Sequence, residues 1–76
     1  MKMTLSLFLP LPDRRLVRGE VLDIHPETTI AALMDQFGVS DDHVWLYVVN
    51  HREMKQRTDR LNAGDHLMVF PPMGGG

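Results

Sequence analysis

The residues best placed to do chemistry form the C-terminal run Phe70-Pro71-Pro72-Met73-Gly74-Gly75-Gly76. The run supplies no acid or base side chain and no metal ligand. It supplies a stiff Pro-Pro step, three residues without side chains and an α-carboxylate. Proline fixes φ and holds the start of the segment extended. Glycine has no Cβ, so Gly74, Gly75 and Gly76 can take backbone angles barred to other residues and let flanking walls approach closely. A free α-carboxylate has a pKa of roughly 3.3–3.7, so at neutral pH it is ionised and can attack a phosphoryl group. As an electrophile it is poor until activated. The expected reactive group is therefore the Gly76 carboxylate, carried on a tail thin enough to enter a narrow tunnel. A flexible tail or cloning scar is the plain alternative. The Phe-Pro-Pro lead-in argues against it.

Such a tail needs a body to project it. Met3, Leu5, Leu7 and Leu9 alternate with Lys2, Thr4, Ser6 and Phe8, which predicts a strand with its odd positions facing a core. Pro10-Leu11-Pro12-Asp13 punctuates it, and a second extended run is expected over 15–24, with Gly19 as a bend or bulge. Pro26-Glu27-Thr28-Thr29 supplies a helix start with a threonine cap. Ile30, Leu33, Met34 and Phe37 then form one helical stripe, and Gly38 can take the left-handed position that ends it. The spacing predicts a helix over 29–37, too short to stand without a sheet beneath it.

Ser40-Asp41-Asp42 reads as a turn, and 44–49 as an interior strand, apolar on both faces, with Trp45 and Tyr47 on one face. Asn50-His51 can turn the chain into a short edge strand over 52–54. Residues 55–60 read as loop or a single helical turn. Leu61-Asn62-Ala63-Gly64-Asp65 is a turn before a last strand over 66–70. This order is that of an α+β protein of the β-grasp (ubiquitin-like) type, a mixed sheet of four to five strands packed on one helix. The last strand should lie parallel to the first in mid-sheet, and the tail should leave from it. A domain over 1–70 and an extended reactive tail over 71–76 are the expected division.

Composition bounds the function. Seventy-six residues hold one core. There is no cysteine, hence no disulfide and no thiolate metal site. His25, His43, His51 and His66 stand at no metal-ligand spacing, and no metal is expected. Eight basic and ten acidic residues are intermixed, which speaks against a nucleic-acid footprint. No apolar stretch at Met1-Lys2-Met3-Thr4 suggests a leader or membrane span, so a cytoplasmic location is expected.

Ordering glycine backbone costs roughly 1–2 kcal/mol per residue or more, so docking of the tail requires an apolar contact surface on the body. By strand parity Phe8 lies outside the core, and with Leu67 and Val69 inward, Met68 and Phe70 share that outer face. Met54 on the short strand and Met73 in the tail complete the candidate partner-binding set. Partly buried packing is the competing reading of Phe8 and Phe70.

From Leu61 to Gly76 the sequence resembles the ubiquitin-like sulfur-carrier family, which includes the small subunit of molybdopterin synthase and the thiamin-biosynthesis sulfur carrier. The shared features are the Gly64-Asp65 turn, the apolar strand 66–70 and the terminal Gly-Gly. Val48-Val49-Asn50 also fits. Phe70-Pro71-Pro72 is closer to the molybdopterin subunit, while the third glycine and Met73 depart from the pattern. The resemblance implies that an activating enzyme of the ubiquitin-activating type, using ATP and Mg²⁺, adenylates Gly76. A sulfur donor (a sulfurtransferase or cysteine desulfurase) then converts the adenylate to a thiocarboxylate. The acceptor would be the large catalytic subunit of molybdopterin synthase or an equivalent enzyme. The chain itself would be a protein co-substrate, binding no cofactor and acting as a synthase subunit only in complex. Sulfur delivery to thiamin thiazole or another metabolite, or conjugation to proteins as a modifier, are the alternative outcomes of the same adenylation.

Overall fold

The alternation at the N-terminus builds β1 (Lys2–Leu7), which pairs antiparallel with β2 (Val17–Asp23). The computed structural model of the chain describes residues 1–72. Beyond the hairpin follow α1 (Ile30–Phe37), a 3₁₀ turn at Asp41–His43, β3 (Leu46–Val49), β4 (Glu53–Lys55) and β5 (His66–Phe70). The five strands lie in the order β2-β1-β5-β3-β4. β5 occupies the centre, parallel to β1 and antiparallel to β3. The architecture is the β-grasp arrangement that the element order implies.

The elements form for local reasons. Thr29, extended at φ −87° and ψ 162°, accepts the Ala32 N–H at 3.1 Å and caps α1. The N–H groups of Ile30 and Ala31, orphaned at a helix start, donate to Asp59 O and Arg57 O at 2.9 and 2.8 Å. The loop 57–59 therefore completes the helix. Gly38 ends it with φ +72°, the left-handed region that favours glycine. Between β3 and β4 the turn residues Asn50 and His51 both have positive φ (56° and 65°), and Arg52 N–H donates to Val49 O. Two such residues make the tight hairpin whose twist matches its strands.

The core lies between sheet and helix. Met3, Leu5 and Leu7 of β1, Leu67 and Val69 of β5, and Ile30, Leu33 and Met34 of α1 are buried in one cluster. Phe37, the fourth residue of the helical stripe, is half-buried, with the Arg15 guanidinium 5.1 Å from its ring centre. Leu11, Val39 and Leu61 join the core from loops.

Several expected boundaries shift. The second strand occupies Val17–Asp23 rather than 15–24, because its ladder to β1 begins only at the Leu7–Val17 pair. The third strand begins at Leu46, two residues later than expected, because the Val44 N–H donates back to Asp41 O and closes the 3₁₀ turn that Ser40 caps. Trp45 and Tyr47 therefore do not share a surface: Trp45 is 56% exposed, whereas Tyr47 is buried. The edge strand lies at Glu53–Lys55, one residue later, since the turn takes Asn50 and His51.

Tyr47 donates its hydroxyl to Asp41 Oδ1 at 2.9 Å. Burial, and then the hydrogen bond and charge of Asp41, push the phenol up to about 12. The unfolded chain releases the same proton near pH 10. The resulting stabilisation is complete below pH 10 and is lost as pH rises from there through about 12. Allowing for solvent screening around Asp41, about 1–2 kcal/mol should disappear across that window. Tyr47→Phe is expected to lose about 1 kcal/mol at pH 7 and to flatten the alkaline limb. Urea midpoints measured from pH 7 to 12 would check both effects.

Candidate functional site

The sheet has two faces, and α1 covers only one. Register fixes what the other carries. Ser6 stands opposite Met68, Met68 opposite Val48, and Val48 opposite Met54, which makes one rung across four strands. One rung further along, Phe70 stands opposite Leu46 on β3, and its ring stacks on Phe8 with centroids 5.0 Å apart and planes 6° from parallel. Leu67 and Val69 point into the core, fully buried. Phe8, Met68 and Phe70 thus come together on the outer face as parity requires, each half-buried. Met54 lies on the same rung as Met68 but at the sheet's edge, 73% exposed. Met73, Gly74, Gly75 and Gly76 lie outside the described residues.

The polar end of this face is closed by a small network. Ser6 Oγ accepts the Gly19 N–H at 2.8 Å and lies 2.9 Å from His66 Nε2. Gly19, at φ +63°, sits where the β1–β2 register slips between Leu5 and Leu7, and forms the bulge expected there. The His51 and His66 rings meet edge to face with centroids 5.4 Å apart, a pairing their sequence separation does not suggest. Among the described residues no group of three or more His, Cys, Asp or Glu side chains could hold a metal ion.

The root of the tail is held on both sides. Phe8 N–H donates to Val69 O at 2.9 Å, and Trp45 N–H donates to Phe70 O at 2.8 Å. Pro71 and Pro72 then line a cleft of about 340 Å³ with Leu9, Pro10, Asp42 and His43. The direction in which the chain leaves the sheet is therefore set by hydrogen-bonded backbone and proline. Rigid elements position a functional group better than loops do.

A family model described as the ThiS family matches residues 10–76. The chain belongs to the ThiS family. As a ThiS-family protein it is a ubiquitin-like sulfur carrier by kind, and such carriers are not themselves enzymes. They work with activating enzymes of the ubiquitin-activating type and with acceptor enzymes. The crystal structure of SAMP1 from Haloferax volcanii is similar over the whole length of both chains, with a TM-score of 0.69 and 22% identity. That likeness concerns the fold. No curated protein matches the chain. Among the described residues no helix is long and apolar enough to cross a membrane.

Sequence reasoning missed three members of the outer face. Leu46 and Val48 were hidden because a strand apolar on both sides does not reveal which side is covered. Arg18, whose guanidinium lies 4.5 Å from the Phe8 ring centre, was hidden because its placement depends on the bulge.

Proposed function

We propose that this ThiS-family chain carries sulfur as a thiocarboxylate on Gly76 and delivers it in molybdopterin biosynthesis. The supporting observation is the aromatic stack at the root of the tail, Phe8 on Phe70, continued directly by Pro71 and Pro72. An apolar platform beside a proline-stiffened leash is what a tail-engulfing enzyme needs to offset the entropy of ordering glycine. Phe8, Met54, Met68, Phe70 and Met73 are the proposed contacts, and residues 71–76 the proposed reactive tail.

The chemistry belongs mostly to the partner. A Gly76 carboxylate oxygen bonds to the α-phosphorus of ATP and pyrophosphate leaves, with Mg²⁺ held by the activating enzyme. The outer sulfur of a cysteine persulfide on a sulfurtransferase or cysteine desulfurase then adds to the acyl carbon, and AMP leaves. A partner thiol attacks the donor-side sulfur of the resulting acyl disulfide, forming a disulfide with the donor cysteine and releasing the thiocarboxylate. The chain contributes reach, a terminus without Cβ atoms and an orientation.

Phe70-Pro71-Pro72 favours the large subunit of molybdopterin synthase as acceptor. Thiazole formation is the second reading, favoured by the family whose model matches. Supplying purified thiocarboxylated protein to each acceptor enzyme with its sulfur-free substrate separates them. Formation of the dithiolene is expected, and turnover with the thiazole-forming enzyme alone would reject the molybdopterin assignment.

A further inference from the structure

Arg18 is built into the platform rather than scattered on the surface. At the bulge, where Leu7 pairs with Val17, its guanidinium donates to the carbonyl oxygens of Leu7 and Val17. The same group lies over Phe8, which stacks on Phe70. Two carbonyls and a ring face thus hold a cation at a set position while the residue stays exposed. Among the described residues no carboxylate lies within 4.0 Å of it, nor of Arg14, Arg52 or Arg57, whereas Lys2, Arg15, Lys55 and Arg60 each have an acidic partner. Of the four unpaired cations, Arg18 is the one that lies over an aromatic ring. A guanidinium fixed in this way has little entropy left to lose on docking, and keeps free N–H groups in a geometry suited to a carboxylate.

We propose that Arg18 is a specificity-determining contact that reads a carboxylate on the activating enzyme, at the border of the apolar patch seating on Phe8 and Phe70. This rests on the function proposed above. Charge complementarity selects the occupant: the site offers an apolar floor with one unpaired cation, so the fitting surface is apolar with one acidic side chain beside it. The nucleotide is not the anion meant. Gly76 stands six positions beyond Phe70, and a chain of six residues, when extended, spans roughly 20 Å. The adenylate forms at the far end of the tail, while Arg18 sits at its root.

The test is steady-state adenylation by the cognate activating enzyme, read as pyrophosphate release, for wild type, Arg18→Gln, Arg18→Lys and Arg18→Glu. Arg18→Gln should raise KM for the carrier about tenfold with kcat within about twofold, and Arg18→Glu about a hundredfold, with Arg18→Lys between wild type and Arg18→Gln. Raising the salt concentration should weaken wild type and leave Arg18→Gln nearly unaffected. Unchanged thermal melting of Arg18→Gln would separate docking from folding. If it melts lower, the Arg18→Glu to Arg18→Gln ratio of KM carries the test, because both lose the same carbonyl contacts.

Equal KM values for Arg18→Glu and wild type would overturn the inference and leave the carrier function standing. A rise in KM for ATP instead of for the carrier would also overturn it, by placing the cation on the nucleotide. Failure of wild type to be adenylated at all would overturn both readings.

Discussion

Adding one leucine after Gly76 is expected to abolish adenylation while leaving the melting temperature unchanged. The added residue moves the terminal carboxylate about 3.3–3.6 Å along the tail and puts a side chain where the tunnel admits none. Displacements of this order at a reacting atom cost about a hundredfold or more in rate. The core should not register the change, because it is built from residues 3–69, well short of the addition. Pyrophosphate release with the extended protein, compared with wild type at equal concentration, checks the rate. A thermal melt of each checks the fold. Were the extended chain adenylated at the wild-type rate, the requirement for a side-chain-free terminus ending at Gly76 would fall.

The second large effect concerns the sheet that aims the tail. Leu67 is fully buried in β5, the central strand, opposite Leu5 on one side and Val49 on the other. Leu67→Ala removes apolar contact and leaves a cavity between two neighbouring strands and α1, at a cost of about 2–5 kcal/mol. A chain of this length has a total stability of roughly 4–11 kcal/mol at 0.05–0.15 kcal/mol per residue. A large part of the variant should therefore be unfolded near physiological temperature. Urea denaturation should show a lower midpoint with an unchanged slope. A loss below about 1 kcal/mol would mean that β5 is not the packed centre described here.

How much of this was legible in the sequence depended on whether local or distant residues set the feature. The helix was readable because its stripe, its Thr29 cap and its Gly38 stop are neighbours in the chain and act within one turn. The Gly64-Asp65 turn was readable for the same reason: Gly64 has φ +83°, and Asp65 Oδ2 accepts the Asn62 N–H at 2.8 Å. The inward and outward sides of β1 and β5 followed from period two.

Leu11, Val39 and Leu61 were not recognisable as core. Each is an isolated apolar residue in a loop, and no period marks it. Ser6 was expected on the polar side and is buried to 4% exposure, because Gly19 and His66 close over it from other strands. The same limit applies to the platform. Phe8, Met68 and Phe70 could be placed on the outer face by parity alone. Whether Phe8 would meet Phe70, and what would lie over them, depended on the parallel register of β1 with β5 and on the bulge at Gly19. Those are long-range pairings that no short window of sequence encodes.

The central claim is that sulfur is carried on the last residue of the chain. Its most direct test is mass spectrometry of the protein after incubation with ATP, the activating enzyme and a sulfur donor, first intact and then fragmented. The account predicts a gain equal to replacement of one oxygen by sulfur, confined to the fragment containing Gly76. An unchanged mass with an activating enzyme shown to be competent, or a sulfur adduct mapping to any other residue, would contradict it.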